Sequence, residues 1–462
     1  MNSVFGRFSH IHFVGIGGIG MSGIAEVLHN MGFKVSGSDI SENANVKMLR
    51  DMGITINIGH KEENIEGADV IVYTSAASDD NPELVRARQE RKPVIKRGEM
   101  LSELMRLKYA VAVAGSHGKT TTTSMVAEIV KAAKLDPTIL IGGRLNSTNN
   151  NASYGKSNIM VAEADESDRS FLMLYPSIAI ITNIDHEHME SYKDFDDVKM
   201  SFTEFANMVP FYGASVLCID NNNVADIIPN ITKRFVTYGT KAQADIRAVN
   251  IKKDGFSVSY DVQKEGEILG HIEIMLPGDH IVLNSLAALT AAMEMGIEFD
   301  VIAETLKNFS GVQRRMSIRH KSDNFVVIDD YGHHPTEIAT TLKAVREASP
   351  QSKIIVIFQP HRYTRTQNLM NDFAKCFMDA DKLYITDIYA ASEQPIEGID
   401  APRLITEVQK HGFKDVTYLP NLDDFLQTLE KEEEKSIIIT FGAGSITNFS
   451  YKVAEYLKDR GL

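Results

Sequence analysis

Residues 112–123 read AVAGSHGKTTTT, an apolar run that turns through Gly115 and Gly118 into Lys119, Thr120, Thr121 and the start of a helical period. A buried-type strand, a glycine turn and a helix start form the unit that α/β proteins use to hold phosphate. Gly115, Ser116, His117 and Gly118 supply backbone N–H groups, the helix N-terminus adds its positive end, and Lys119 neutralises charge. The Thr120 hydroxyl suits a Mg2+ ligand. The spacing is GxxGKT, with Val113 where the ordinary nucleoside-triphosphatase signature has glycine.

Upstream, VGIGGIGMSG at 14–23 satisfies G-x-G-x-x-G with Gly15, Gly17 and Gly20, Gly18 lying between, and Asp39 closes the following KVSGSD run. Such a loop holds a diphosphate at a helix N-terminus, and an acid at the next strand end binds a ribose diol. The pattern fits NAD and a nucleotide-sugar diphosphate equally. Short apolar runs (HIHFVGIG, KVSGSD, DVIVYTSA, PVIK) alternate with helical segments up to Arg97, so residues 1–97 read as one parallel α/β domain.

Downstream, the pattern restarts near Gly98 and predicts a central domain over 98–312. It has a strand at 109–114, a helix over 121–133, strands in SNIMVAEAD and SIAIITNID, a β excursion at 246–276 and a helix over 284–295. Two acidic loops follow strands there. VAEADESD brings Glu163, Asp165, Glu166 and Asp168, and TNIDHEHME brings Asp185, His186, Glu187 and His188. Oxygen ligands suit Mg2+, and Glu163 and His188 are the expected metal ligands beside Thr120. HEH does not have the one-turn spacing of a zinc protease helix.

The runs FVVIDD, KIIVIF, KLYITD, DVTYLP and SIIITF predict a third, doubly wound domain over 313–462. It opens with DDYGHHPTE at 329–337, with Pro335 suited to a first helical turn. FQPHRYTRT then places His361, Arg362 and Arg365 after a strand, where paired guanidiniums suit a carboxylate or phosphate. The Asn-rich 146–151 reads as a polar loop, and EKEEEK at 430–435 as a solvated helical face.

Bulk properties narrow the function. The chain has 462 residues, 43% apolar and 24% charged, with 48 Lys plus Arg against 62 Asp plus Glu, a net charge of −14. That excess of acid disfavours nucleic acid and anionic lipid, so anionic substrates must meet cations gathered at particular motifs. Cys218 and Cys376 are too few and too far apart for a disulfide framework or a thiolate zinc site. No run is long enough to span a membrane, and no signal-peptide pattern opens the chain. A cytoplasmic protein is expected.

GIGGIGMSG, GSHGKTTTT, EADESD, TNIDHEHME, RRM and DDYGHHPTE, in this order across the chain, resemble the Mur ligase family. The resemblance implies three domains: a Rossmann-like N-terminal domain for a UDP-sugar, a central P-loop-type ATPase domain, and a Rossmann-like C-terminal domain for the amino acid. It implies an ATP- and Mg2+-dependent ligase that joins L-alanine to the carboxylate of UDP-N-acetylmuramate in peptidoglycan precursor synthesis. Monomer and homodimer both stay open. The alternative is a recycling ligase that attaches a tripeptide to the same nucleotide sugar.

By the same route Lys119 and Thr120 are assigned to the ATP phosphates and Mg2+, and Glu163 and His188 to Mg2+. Asn284 falls to the adenine region, and Arg315 and Asp330 to phosphate and ribose. Gly15 to Gly20, Asp39 and Thr74 fall to the UDP-sugar, and His333, His361, Arg362 and Arg365 to the reacting carboxylates. His333 or His334 is the candidate base for the ammonium proton. The chain departs from the family at Ser116, where Thr is common, and at Ser445, where Asp is common. Lys199 does not align securely with the carbamylated lysine of some relatives.

Overall fold

The structure is a computed structural model that describes residues 4–74, 76–143, 151–391, 393–429, 432 and 434–461. Its strands fall into three sheets, each built from one of the apolar-run patterns above.

The first sheet holds β1 (His10–Val14), β2 (Lys34–Asp39), β3 (Thr55–Ile58), β4 (Val70–Tyr73) and β5 (Val94–Lys96) in the order β3-β2-β1-β4-β5. Every pairing in it is parallel. The order reverses between β1 and β4, the switch point at which such sheets open a crevice at their carboxyl ends. The GIGGIG loop leaves β1 there and Thr74 leaves β4 there; a Cβ on Gly15 would stand 2.6 Å from Thr74 Cγ2.

The second sheet contains β6 (Tyr109–Ala114), β7 (Thr138–Leu140), β8 (Ala152–Ser153), β9 (Ile159–Glu163), β10 (Ile178–Ile181), β11 (Ala214–Cys218) and β12 (Phe235–Gly239). The excursion expected at 246–276 forms β13 (Ile246–Asp254), β14 (Ser257–Lys264) and β15 (Glu267–Ile274). The order is β15-β14-β13-β12-β11-β10-β6-β9-β7-β8. β6 is central and wholly apolar inside, flanked in parallel by β9 and β10. All three therefore end on one edge. The helix expected over 121–133 is Lys119–Ala132, and that over 284–295 begins earlier, at Asp279.

The third sheet comprises β16 (Ser317–Lys321), β17 (Phe325–Asp330), β18 (Lys353–Phe358), β19 (Lys382–Ile385), β20 (Val416–Tyr418) and β21 (Ser436–Phe441), ordered β16-β17-β21-β18-β19-β20. Only β16 runs antiparallel. Branched apolar residues fill β17, β18 and β21, as strands covered on both faces require. The polar loop at 146–151 lies outside the described residues except for Asn151. The helical reading of 430–435 is corrected at its described residues: the preceding helix ends at Leu429, and Glu432, Glu434 and Lys435 are not helical, while 430, 431 and 433 lie outside the described residues. Adjacent like charges with no apolar periodicity give a helix no face to bury.

By packing, the chain forms two compact units. One comprises Met1–Asn250, Asp261–Ile272 and Leu283–Phe309, and the other Ile251–Tyr260, Glu273–Val282 and Ser310–Leu462. The first unit thus contains the first sheet and most of the second, closely joined. Asn151 Nδ2 donates to Ile19 O at 2.8 Å, Ser102 Oγ donates to Met173 O at 2.5 Å, and a Cβ on Gly98 would lie 2.5 Å from Ser170 Cβ. Cys218 and Cys376 are both buried, and burial pushes both thiols up, Cys218 to about 11.

A buried polar network braces the first sheet. His10 Nε2 and His12 Nδ1 each lie 2.8 Å from Ser36 Oγ, while Ser38 Oγ donates to Glu83 Oε2 at 2.6 Å and Asn64 Nδ2 to Glu83 Oε1 at 2.5 Å. His12 Nε2 stands 3.5 Å from Glu83, and both side chains are fully buried. Burial alone would push the Glu83 carboxyl up, but the neighbouring His12 imidazole and hydrogen bonds from Ser38 and Asn64 hold it below the ordinary value. A group with a depressed folded pKa contributes stability above its unfolded value and loses it as pH falls through the folded one. Glu83→Gln should therefore cost about 1–3 kcal/mol at pH 7. In urea titrations, the gap between wild type and variant should narrow as pH falls below the ordinary glutamate value of 4.5.

Candidate active site

The loop after β6 turns tightly because its neighbours leave no room. Gly115 has φ +133, and a Cβ there would lie 2.0 Å from Thr182 Oγ1; Gly118 has φ +81, and its Cβ would lie 2.5 Å from Asn284 Oδ1. Asn284 is buried on the Asp279–Glu294 helix and so borders the loop in the same unit. The residues after β10 pin the loop down. Asn183 Oδ1 accepts from His117 N at 2.8 Å, Thr182 Oγ1 donates to His117 O at 2.6 Å, and Asp185 N donates to Ser116 Oγ at 2.8 Å. Ser116 thus makes its contact through the hydroxyl it shares with threonine.

Lys119 opens the helix with its side chain folded back over the loop. Nζ donates to Gly115 O at 2.6 Å, Ser116 O at 3.1 Å and Glu166 Oε1 at 2.7 Å. Burial pulls the Lys119 pKa down, but the carboxylates of Glu166, Glu163 and Glu187 outweigh it and hold it up at about 12. The ammonium is charged at every physiological pH. Burial pushes Glu166 up to about 7 against the pull of Lys119.

Thr120 and Glu163 meet, as Thr120 Oγ1 donates to Glu163 Oε1 at 2.9 Å, while Gly142 N donates to Oε2 at 2.6 Å. Thr121 follows on the first helical turn. His188, with φ +55, has Glu166 at 3.9 Å and Glu187 at 4.0 Å from Nε2. One ligand atom each from Glu166, Glu187 and His188 lies within a 4.8 Å cluster. Glu166 Oε2 is buried with no hydrogen-bond partner, a costly state that a cation relieves. Carboxylates, an imidazole and a hydroxyl beside a phosphate loop fit Mg2+. Reading the loops alone singled out Glu163 and His188; Glu166 and Glu187 are the acids the fold sets beside His188. Alternation along EADESD does not reveal which of its acids turns inward. Lys199 pairs with Asp226 at 2.8 Å.

In the first sheet, Asp39 Oδ2 accepts from Gly17 N at 2.8 Å and its Oδ1 from Ser41 N at 3.2 Å, so it braces the GIGGIG loop. Gly18 is the N-cap of the Ile19–Asn30 helix, and Gly20 lies in its first turn.

In the second unit, Arg315 donates to Glu337 Oε1 at 3.1 Å and lies 5.2 Å over the Tyr331 ring. Burial works against its charge, but Glu337 and Asp330 hold its pKa well up. Arg314 donates to Gly442 O at 2.6 Å. Asp330 is buried, its oxygens accepting from Met316 N and Gly332 N, and burial pushes it up to about 6. Its carboxylate shapes the loop it opens. His334 is the N-cap of the Pro335–Ala348 helix, its Nδ1 accepting from Thr336 N at 3.3 Å, and Glu337 completes a capping box. That cap employs the lone pair a base would need, which leaves His333 as the better candidate. Its Nδ1–H donates to Tyr331 O at 3.0 Å, which places the ring's lone pair on Nε2. The H-P-T-E pattern carried the capping signal, with His in place of Ser or Thr.

His333 and His361 meet edge to face at 5.9 Å, and His361 stacks on Tyr389 at 5.6 Å. Arg365 Nη1 lies 3.2 Å from His361 Nδ1, and Arg362, exposed with φ +69, caps the Tyr363–Asn368 helix. Tyr389 was not legible in the sequence because its loop has no motif. Ser445 Oγ accepts from Gln359 Nε2 at 3.3 Å, and Gln359 Oε1 in turn accepts from Ile446 N at 3.1 Å, which ties the last loop to β18.

Three family patterns match in chain order: "Mur ligase family, catalytic domain" over residues 10–109, "Mur ligase middle domain" over 113–292 and "Mur ligase, glutamate ligase domain" over 314–444. The chain belongs to the Mur ligase family. Among Mur ligases it is 51% identical over 444 residues to the UDP-N-acetylmuramate--L-alanine ligase of Geobacter sp. (strain M21), covering 96% of each chain. It is 51% identical over 455 residues to that of Myxococcus xanthus (strain DK1622), covering 98% of this chain and 96% of that one. The solved UDP-N-acetylmuramate-alanine ligase from Thermotoga maritima superposes with a TM-score of 0.83 at 31% identity, covering 98% of this chain and 100% of that one. A murein peptide ligase from Psychrobacter arcticus, 22% identical with a TM-score of 0.70 over 97% of this chain and 98% of its own, shares the fold.

Burial, with His333, Arg365 and Arg362 adding positive charge, pushes the His361 imidazole down to about 4. It should stay neutral from pH 6 to 8. In an NMR titration, Arg365→Ala should move its midpoint upward; an unchanged midpoint would mean that the guanidinium does not act on the ring.

Proposed function

We propose that this Mur ligase forms an amide between the carboxylate of UDP-N-acetylmuramate and L-alanine, using ATP and passing through an acyl phosphate, in peptidoglycan precursor synthesis. The observation that carries the reading is the convergence of Lys119, Thr120, Glu163, Glu166 and His188 on one phosphate loop. It does so in a chain that matches L-alanine ligases over nearly its whole length.

The muramate carboxylate attacks the γ-phosphorus, the bond to the β-phosphate oxygen breaks, and ADP leaves. The alanine amine then attacks the acyl carbon, the acyl–phosphate bond breaks, and inorganic phosphate departs. Lys119 leaves its loop carbonyls for the phosphate oxygens and stabilises their charge throughout. Mg2+, held by Thr120, Glu163 and His188 with Glu166 and Glu187 beside them, would supply further charge neutralisation. Asn284, bordering Gly118, serves the nucleotide; Arg315 and Asp330 serve its phosphate and ribose.

Gly15, Gly17, Gly18, Gly20, Asp39 and Thr74 hold the UDP-sugar. His361, Arg362 and Arg365 orient a carboxylate, and His333 takes the ammonium proton at Nε2. The working segments are residues 1–97, 98–312 and 313–462. Among the described residues no helix is long and apolar enough to cross a membrane. The enzyme works in the cytoplasm as a monomer or homodimer.

Phosphate release from ATP, Mg2+ and UDP-N-acetylmuramate should require L-alanine. Turnover only with L-alanyl-D-glutamyl-diaminopimelate would transfer the enzyme to peptide recycling, and no turnover with either acceptor would refute ligase activity. Lys119→Ala should lower kcat by about a hundred- to a thousandfold, the scale of losing one preorganised donor.

A further inference from the structure

Arg97 stands between the helix that follows the first glycine loop and the loop after β9. Its guanidinium lies against the first turn of the Ile19–Asn30 helix, where a Cβ on Gly20 would come 3.1 Å from Nη1 and 3.3 Å from Cδ. The third glycine of G-x-G-x-x-G usually makes room for a strand; here it makes room for an arginine. Arg97 Nη2 donates to Asp165 Oδ2 at 2.8 Å and stands 3.9 Å from Asp168, so it also reaches the loop that follows Glu163 and carries Glu166. Burial would raise Asp165, but Arg97, with Ser167 and Lys119, holds it below the ordinary value.

This placement runs against the helix's own charge. A helix N-terminus carries about half a positive charge and favours acids. The Ile19–Asn30 helix has no acid in its first turn and a guanidinium in contact with it instead. Asp165 is shared, its other oxygen accepting from Ser167 N at 3.0 Å and Ser167 Oγ at 2.6 Å. Asp165 takes Nη2 of Arg97, while Nη1 is the nitrogen nearest Gly20, so the guanidinium and the helix end together suit an anion at the GIGGIG loop.

We propose that Arg97 is a substrate-binding residue that donates to the diphosphate of the nucleotide sugar, with Asp165 as the positioning residue that fixes its fork. The inference rests on reading the GIGGIG loop as the diphosphate site. Its consequence is a direct tie between the acceptor's phosphates and the loop that follows Glu163 and carries Glu166.

Calorimetry with UDP, uridine and an ATP analogue on the full-length wild type, Arg97→Ala and Arg97→Lys tests it. Arg97→Ala should bind UDP about ten- to a hundredfold more weakly, the scale of losing a charged hydrogen bond to phosphate. Uridine and nucleotide-analogue affinity and the unfolding midpoint should stay within twofold and a few degrees of wild type. Arg97→Lys should recover part of the UDP affinity, and KM for UDP-N-acetylmuramate should rise more than kcat falls. Equal UDP binding by wild type and Arg97→Ala would overturn the role of Arg97, as would a parallel loss of UDP, uridine and ATP-analogue binding in both variants. A wild type that fails to bind UDP would instead overturn the diphosphate reading of the loop.

Discussion

Three parallel strands, β9, β6 and β10, end on one edge of the second sheet, and the candidate chemistry follows from that constraint. The loop after β6 leads into Lys119 and Thr120, β9 ends on Glu163 and its loop brings Glu166, and the loop after β10 brings Asn183, Glu187 and His188. No pair drawn from different loops is close in sequence, yet the parallel register gives them no other place to meet. The backbone is equally confined, since Thr182 and Asn284 occupy the space a side chain at 115 or 118 would need.

Much of this was legible. Apolar runs such as YAVAVA, FVVIDD, KIIVIF and SIIITF are the strands β6, β17, β18 and β21, because buried parallel strands need continuous apolar sequence. The glycine loops declared the strand ends that carry ligands. Less legible was how acids are shared out. Glu163 and His188 are the metal ligands expected from sequence, but Glu163 turns to Thr120 while His188 faces Glu166 and Glu187, a distinction set by loop conformation. Arg97 was invisible because its meaning depends on Asp165, 68 positions away in the chain. The run at 430–435 misled because charge density resembles a solvated helix without the apolar face that would hold one.

The second unit shows polar groups assigned to architecture before chemistry. Asp330 spends its oxygens on Met316 and Gly332, His334 caps a helix, and Glu337 serves both that cap and Arg315. These bonds tie down the segment around Gly332 that carries His333. His333 in turn meets His361, which stacks on Tyr389 and lies beside Arg365, and side chains already packed on one another cost a bound complex less to order.

The contact between Lys119 and Glu166 has an effect beyond the loop it closes. Because Glu166 already supplies a partner to the Lys119 ammonium, a phosphate bound there as proposed would replace that partner instead of filling a vacancy. Part of the attraction would be returned as the carboxylate is displaced, and the same carboxylate would reclaim the ammonium as ADP departs. A built-in competitor of this kind would favour exchange over retention, which suits a turnover cycle that must shed a charged product.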